Sequence, residues 1–536
     1  MPERSAPPVL VVFVGLMLGN ALAALDTTMV ATATPTIVDE LHGLRDFSWI
    51  TTAYLLGALA MMPIYGKLGD LYGRKRIFAV AMVTFLLGSA LCGAAGTMTE
   101  LIVFRGVQGL GAGGLVTLPM AMLADLVPAR ELGRWIGYSG FVFAFSSIAG
   151  PLVGGVFTEH ASWRWAFLVN LPLGLISLAI VERLLHLPAR RSPHRIDWWG
   201  AGLAVAAVAC IVFLTSWGGS REPWGSTLIV LLGVGVIAFV IALVVRERRA
   251  PEPILPPRVF KFSVARVTLL MNLTVGLLFF AILYFVSAFL QFVTGISPGD
   301  AGLYLIPIMF GSVVGTMVVG RLVHNSGRYR LYPIVGTVIA TAGVLLLLRL
   351  GADSGAWEAL AAGGIFGFGT GLVMQVLILA IQNAVELRDI GVATSMSMFG
   401  RQGGGAVGLA LLGSIFNDRL AVWFHRLVPS GLGLNVAELR GRPETLGNLS
   451  AGVKHDVATA FAHSLHTVFL ACVPVAVISI VLALMLRENP LREHSIVDDI
   501  GDDLAVAYEG AAPLAAVVSD DSVLQRSAES PPTRLG

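Results

Sequence analysis

Long apolar runs, broken at short intervals by basic and small residues, dominate the chain. Fourteen of them can be read, at 9–33, 48–65, 77–96, 100–122, 134–157, 164–185, 198–217, 226–245, 264–291, 301–320, 331–348, 357–381, 391–416 and 465–486. A helix crosses roughly 30 Å of hydrocarbon with about 20 apolar residues, so each run predicts one membrane-spanning helix. Residues 417–464, with Asp418, Arg426, Gly431, Arg440, Pro443 and Lys454, form the single long hydrophilic loop. Strand alternation is weak and the runs are too long for a transmembrane β-barrel. The pattern predicts an all-α, polytopic membrane protein.

The connections orient the helices. Those after even-numbered runs carry eighteen basic residues, among them Lys67, Arg74, Lys75, Arg76, Arg130, Arg134, Arg190, Arg191, Arg195, Arg246, Arg258, Arg321 and Arg388. Those after odd-numbered runs carry four: Arg45, Arg164, Arg221 and Arg349. Basic residues stay cytoplasmic, so both termini are expected in the cytoplasm of a cell-membrane protein. Arg4, the run from Val9 and the triplet Ala21-Leu22-Ala23 imitate a cleavable signal peptide. Cleavage would shift the charge alternation downstream, so the first run is read as a retained span. The tail after Arg487, with Asp498, Asp499, Asp502, Asp503, Asp520 and Asp521, is expected to be disordered.

Composition agrees with this picture. Of 536 residues, 56% are hydrophobic and 13% charged, with mean hydropathy +0.79. Soluble domains are about 45–50% apolar and about 25% charged. A cytosolic enzyme, a disordered chain and a secreted disulfide scaffold are excluded. The net charge of +2 gives no nucleic-acid footprint. Cys92, Cys210 and Cys472 lie in apolar runs without metal-ligand spacing and read as small core residues.

An internal repeat organises the chain. Gly66-Lys67-Leu68-Gly69-Asp70-Leu71-Tyr72-Gly73-Arg74-Lys75-Arg76 recurs in degenerate form as Gly320-Arg321-Leu322-Val323-His324-Asn325-Ser326-Gly327-Arg328-Tyr329-Arg330, at an offset of 254 residues. Asp70 is matched by His324. The repeat predicts two six-helix bundles, 9–190 and 263–487, with two inserted helices in 191–262, a short N-terminus 1–8 and a tail 488–536. Transporters built from repeats place the substrate near the midplane between the halves.

These features resemble the major facilitator superfamily, and within it the fourteen-span drug:proton antiporters. The Gly66–Arg76 loop resembles the superfamily signature between helices 2 and 3. Leu25-Asp26-Thr27-Thr28 running to Pro35, Arg105-Gly106-Val107-Gln108-Gly109 and Gly150-Pro151-Leu152-Val153-Gly154-Gly155 resemble the drug-export motifs of helices 1, 4 and 5. Trp163-Arg164-Trp165 with Asn170-Leu171-Pro172 is similar to the fourteen-span branch. The resemblance implies that Asp125, at the end of helix 4, joins Asp70 and Arg74 in a charge cluster latching the cytoplasmic side. It further implies that the kink at Pro151 favours antiport; physics alone supplies a bend there and close packing at Gly150, Gly154 and Gly155. Gly66 and Gly73 are expected to permit the tight turn after helix 2.

Uphill transport needs a nucleotide or an ion gradient. The one Gly-Lys pair, Gly66-Lys67, lacks the rest of a phosphate loop. Gly109-Leu110-Gly111-Ala112-Gly113-Gly114 fits G-x-G-x-x-G but lies inside an apolar helix rather than after a strand. No cofactor or metal is expected, and no residue cluster suggests an enzyme. An ion gradient remains, which requires a titratable group inside the membrane. Asp26 is the clearest candidate, on a stripe of small residues with Gly15, Gly19 and Ala23. Arg105 falls at a similar depth and stays charged. It would favour the ionised acid when close and release it for protonation when helices 1 and 4 separate. A permanent structural ion pair is the alternative.

Arg401, near the middle of the thirteenth run, has no partner identifiable from sequence; it reads equally as a cavity residue that holds an anionic group or balances an acid, or as a purely structural one. Asn20 and Gln375, with Asn272, Gln291 and Gln382, are further intramembrane polar residues that serve either as interhelical contacts or as substrate contacts. The leading expectation is proton-coupled export of amphipathic or lipophilic small molecules such as drugs, cationic dyes and antibiotics. The partners are then the substrate, protons and the bilayer. A dedicated exporter of one metabolite, antibiotic or lipid, and a non-transporting membrane sensor on the same fold, are the alternatives.

Overall fold

The computed structural model describes residues 9–42, 46–185, 196–219, 222–296, 303–428 and 450–491. Arg4, Arg45, Arg190, Arg191, Arg195, Arg221, residues 429–449 of the long loop and the acidic tail from 492 lie outside them. The helices are α1 (Val9–Glu40), α2 (Phe47–Tyr72), α3 (Arg74–Ala94), α4 (Met98–Leu126), α5 (Ala129–His160) and α6 (Trp165–Leu184), the last broken by one turn residue at Val169. They continue with α7 (Trp198–Trp217), α8 (Thr227–Glu247), α9 (Ser263–Phe292), α10 (Ile306–Ser326), α11 (Leu331–Leu347), α12 (Ala356–Ala384), α13 (Ile390–Leu427) and α14 (Ala451–Met485). Among the described residues, twelve helices are long and apolar enough to cross a membrane. The other two are α5, of 32 residues, and α11, of 17 residues.

Local chemistry fixes several boundaries. Thr97 accepts the Glu100 N–H and Glu100 returns to the Gly96 N–H, satisfying donors at the start of α4. Ser226 caps α8 through the Ile229 N–H. Gly73 (φ +95°) turns the chain sharply from α2 into α3, and Gly327 (φ +67°) ends α10 in the left-handed region.

Helices α1–α6 pack on one another, as do α9–α14, while α7 and α8 form a hairpin lying against α2 and α13. The glycines of the 109–114 run set how closely α4 approaches its neighbours. A Cβ on Gly113 would fall 2.5 Å from the Ala58 carbonyl oxygen of α2, and one on Gly114 would fall 2.5 Å from Ala81 Cβ of α3. With no Cβ in the way, the backbones meet directly and gain dispersion over their length.

Two sequence expectations are corrected. The 417–464 loop is largely helical where described, because α13 runs on to Leu427 and α14 starts at Ala451. Aromatic packing extends the helices past their apolar runs: Phe461 stacks on Phe292 at 4.4 Å, and His463 on Trp423 at 4.4 Å. The tail also starts later than 488. Glu488 accepts the Tyr329 N–H at 2.7 Å, and Asn383 donates to the Pro490 carbonyl at 2.9 Å, which pins residues 488–490 beneath α11 and α12.

Candidate functional site

Asp26 is fully buried in α1 and Arg105 is 1% exposed in α4. Arg105 Nη1 lies 2.5 Å from Asp26 Oδ2. The second carboxylate oxygen accepts from Gln108 Nε2 at 2.6 Å and from Asn170 Nδ2 at 3.1 Å. Both amides also donate to Ser89 Oγ of α3, at 2.7 and 3.2 Å. Arg105 Nε donates to the Ile50 carbonyl of α2 at 3.1 Å, and its Cζ sits 4.1 Å above the Tyr54 ring. Helices α4 and α6 thus bind the α1 carboxylate directly, and α2 and α3 hold the groups that bind it. The expected Asp26–Arg105 pairing is present; Gln108, Asn170, Ser89 and Tyr54 complete it. Gln108 stands three residues after Arg105, hence on the same helix face. Its place in the run 100–122 was visible, but no rule of spacing links it to Ser89 or Asn170.

The helix 5 motif abuts this network. A Cβ on Gly150 would fall 2.7 Å from Thr28 Cβ, and one on Gly154 would fall 3.0 Å from Met29 Cα, so α5 rests on α1 two and three residues from Asp26. Gly155 has open space around its Cα and takes no part in that contact, contrary to expectation, because it lies on a different face of α5 from Gly150 and Gly154. Pro151 is half-buried beside Gly150.

A second constellation joins the two groups of helices at the end bearing the α2–α3 turn, where Lys67, Arg74, Arg246 and Arg258 gather; we call it the basic end. Arg74 binds Asp70 at 2.8 Å through Nη2, pairs with Asp125 and donates to the Ala121 carbonyl at 2.9 Å. Asp70, Arg74 and Asp125 therefore meet as expected. The remaining valence of Asp70 crosses to the other half: its carboxylate accepts the backbone N–H groups of Gly391 at 3.0 Å and Val392 at 2.9 Å, at the start of α13. A carboxylate on free N–H groups at the positive end of a helix dipole is a charge-assisted contact. Gly66 lies inside α2 rather than in the turn. Its role is close approach, since a Cβ there would fall 2.6 Å from the Gly391 carbonyl oxygen. Gly73 alone makes the turn.

The repeat shows in space as well. Gly66 of α2 meets Gly391 of α13, and Gly320 of α10 meets Gly133 of α5, where a Cβ would fall 2.5 Å from the Gly133 carbonyl oxygen. A further bridge runs from Gln382 of α12, which donates to the Met120 carbonyl of α4 at 3.2 Å and to Thr394 of α13 at 2.8 Å. By contrast α1 packs on α5, α6, α4 and α2, and α9 on α13, α12 and α14, each within its own group.

The linker between α8 and α9 straps this junction. Lys67 of α2 binds Glu252 at 2.6 Å, and Arg258 binds Asp389, at the start of α13, through two hydrogen bonds of 2.6 and 2.7 Å. Glu247 accepts the N–H groups of Ile254 and Leu255, which shapes the strap, and Ile254 packs on Ile64 and Ala201. Hydrogen bonding to Asp389 pushes the Arg258 guanidinium further up from its already high pKa, so the pair stays charged.

Arg401 is half-buried in α13 and its guanidinium meets the Met398 thioether at 2.8 Å. Gln375 Oε1 in α12 is buried without a hydrogen-bond partner among the described residues. Asn20 donates to the Val116 carbonyl of α4 at 3.5 Å, an interhelical contact rather than a free cavity group. Among the described residues, no group of three or more His, Cys, Asp or Glu could hold a metal.

Among the described residues, twelve helices of membrane-spanning length and apolarity, packed in two groups that are bridged at one end, make this the architecture of a multi-pass membrane protein. The chain matches the Major Facilitator Superfamily over residues 16–200 and 195–409, and it belongs to that family. It is 37% identical over 497 residues to an uncharacterised MFS-type transporter of Mycobacterium tuberculosis, covering 92% of this chain and 72% of that one. It is 34% identical over 485 residues to Multidrug resistance protein 3 of Bacillus subtilis, covering 88% and 94%, and 31% identical over 514 residues to the multidrug transporter protein MdtP of the same organism, covering 90% and 94%. The human organic anion transporter MFSD10 shares the fold at TM-score 0.58 and 15% identity, covering 88% of this chain and 100% of its own.

Proposed function

We propose that the protein is a proton-coupled secondary transporter that exports amphipathic or lipophilic small molecules by alternating access. It would sit in the cell membrane with fourteen spans, two six-helix bundles and an inserted pair, the basic end and both termini being cytoplasmic. The contacts across the basic end then describe a state closed to the cytoplasm. The names of the two Bacillus subtilis relatives, a multidrug resistance protein and a multidrug transporter, support a drug-like substrate class.

The observation that carries the reading is the Asp26 carboxylate, fully buried and held at once by Arg105, Gln108 and Asn170. Its charge is compensated by Arg105, so protonation alone would leave Arg105 a buried charge without a counter-ion, which is strongly unfavourable. The state that accepts the proton must therefore move α4 relative to α1. Helix α5 can transmit that motion. It touches α1 beside Asp26 through Gly150 and meets α10 through Gly133 at the basic end. Proton entry at Asp26 would loosen α1 from α4, tilt α5, part it from α10 and break the Asp70–Gly391 contact, opening the cytoplasmic side. In vesicles under an imposed pH gradient, substrate movement that collapses with an uncoupler is the expected result. Movement indifferent to the gradient contradicts the reading.

A further inference from the structure

We propose that Arg401, together with Gln375, forms the headgroup subsite for the carboxylate of an amphipathic organic acid. The inference rests on the transporter reading and narrows its substrate class.

Gln382 donates to Thr394 and reaches across to Met120 of α4, so these two residues mark the faces on which α12 and α13 meet, beside the first half. Gln375 precedes Gln382 by seven residues, and Arg401 follows Thr394 by seven. Seven residues advance a helix about 10 Å and return within about 20° of the same face. The Gln382–Thr394 contact near the ends of α12 and the start of α13 makes the two helices antiparallel, so both steps lead away from the basic end. Gln375 and Arg401 therefore sit at one level, two turns beyond the closed junction, on the faces by which α12 and α13 meet there.

A guanidinium is charged at every physiological pH and is costly inside a membrane unless it meets a cavity or a counter-ion. A thioether is a weak acceptor, and among the described residues Arg401 has no carboxylate or carbonyl partner. The described acids of the second half, Asp353, Glu358, Glu386, Asp389, Asp418, Asp456 and Glu488, lie at or near helix ends or in connections. The acid of the first half at membrane depth, Asp26, is already engaged with Arg105. The surroundings of Arg401 are thus positive among the described residues. A carboxylate fills the guanidinium fork with two parallel hydrogen bonds, and Gln375 Oε1, buried and unpaired, would accept from a hydroxyl or amide N–H beside it. An organic cation gains nothing there and is repelled, which sets this inference against the cationic dyes expected from sequence.

The test uses two probes with one tail, 11-(dansylamino)undecanoate and the matching dansyl alkyl-trimethylammonium, with purified full-length protein in nanodiscs. Fluorescence titration should show the carboxylate binding at least about tenfold tighter than the ammonium. Arg401→Gln should erase that preference, while Arg401→Lys should keep it at lower affinity. Gln375→Glu, which supplies an internal carboxylate, should weaken carboxylate binding about tenfold, with melting temperature reporting that each variant is folded. Equal affinity for the two probes, no binding of the carboxylate, or a preference that survives in folded Arg401→Gln overturns the subsite. Transport of the same probes in proteoliposomes is read separately. Carboxylate preference in binding without gradient-driven movement would sink the transport reading and leave the subsite. Gradient-driven movement of both probes at equal rates would do the reverse.

Discussion

The Asp70 carboxylate accepts the Gly391 backbone N–H at 3.0 Å, joining residues 321 positions apart across the two halves. The same carboxylate holds Arg74, which holds Asp125, so one junction ties α2, α3, α4 and α13. Hydrogen bonds to a charged group contribute about 1.5–3 kcal/mol each. Asp70→Asn keeps the size and loses the charge. It should shift the closed-to-open equilibrium of the basic end by about tenfold or more, read as a change in spin-label distance between Tyr72 on α2 and Arg388 before α13. An unchanged distance distribution would count against the latch.

Gly66 gives a steric version of the same prediction. Its Cβ position lies 2.6 Å from the Gly391 carbonyl oxygen and overlaps Ser395. Gly66→Ala should keep α2 and α13 from closing while leaving α2 helical, since alanine favours a helix over glycine by about 1 kcal/mol. Transport should fall by about tenfold or more, and labels across the basic end should move apart. Gly155→Ala, where space is open, should transport like the wild type.

The α8–α9 strap should slow opening of the basic end. Lys67–Glu252 fastens it to the first half and Arg258–Asp389 to the second. Glu252→Gln and Arg258→Gln should each raise the open fraction. Because both pairs hold one segment, the double variant should add less than the sum of the singles. Strict additivity in the same spin-label measurement would show that the strap does not act as a unit.

Asn170→Ala and Gln108→Ala each remove a donor from the ionised Asp26. With those contacts gone, α4 and α6 are tied less firmly to α1 at this point. Gradient-driven transport should fall in both variants, and fall less in Ser89→Ala, whose hydroxyl touches the two amides and not the carboxylate. Unchanged transport in Gln108→Ala would argue that the amide contacts take no part in coupling.

Much of this was legible in the chain. Each apolar run falls on a helix, because a long apolar segment in a bilayer has few other ways to satisfy its backbone. Asp26 and Arg105 stood out as charges in apolar runs at matching depth, and Asp70, Arg74 and Asp125 through their motif. Other features were not readable. Lys67 and Arg258 looked like topology charges, since their partners stand 185 and 131 residues away. Gly66 read as a turn former because its neighbour, Gly391, belongs to the other half. Asn170 and Ser89 sit in helices whose rotation about their own axes is set only by packing.

The most direct measurement compares wild type and Asp26→Asn in everted vesicles under an imposed pH gradient, with 11-(dansylamino)undecanoate as the reporter. The account predicts accumulation in the wild type that collapses with an uncoupler and is lost in Asp26→Asn, although the variant protein is present and folded. Gradient-driven accumulation that survives in Asp26→Asn would contradict the assignment of proton coupling to Asp26.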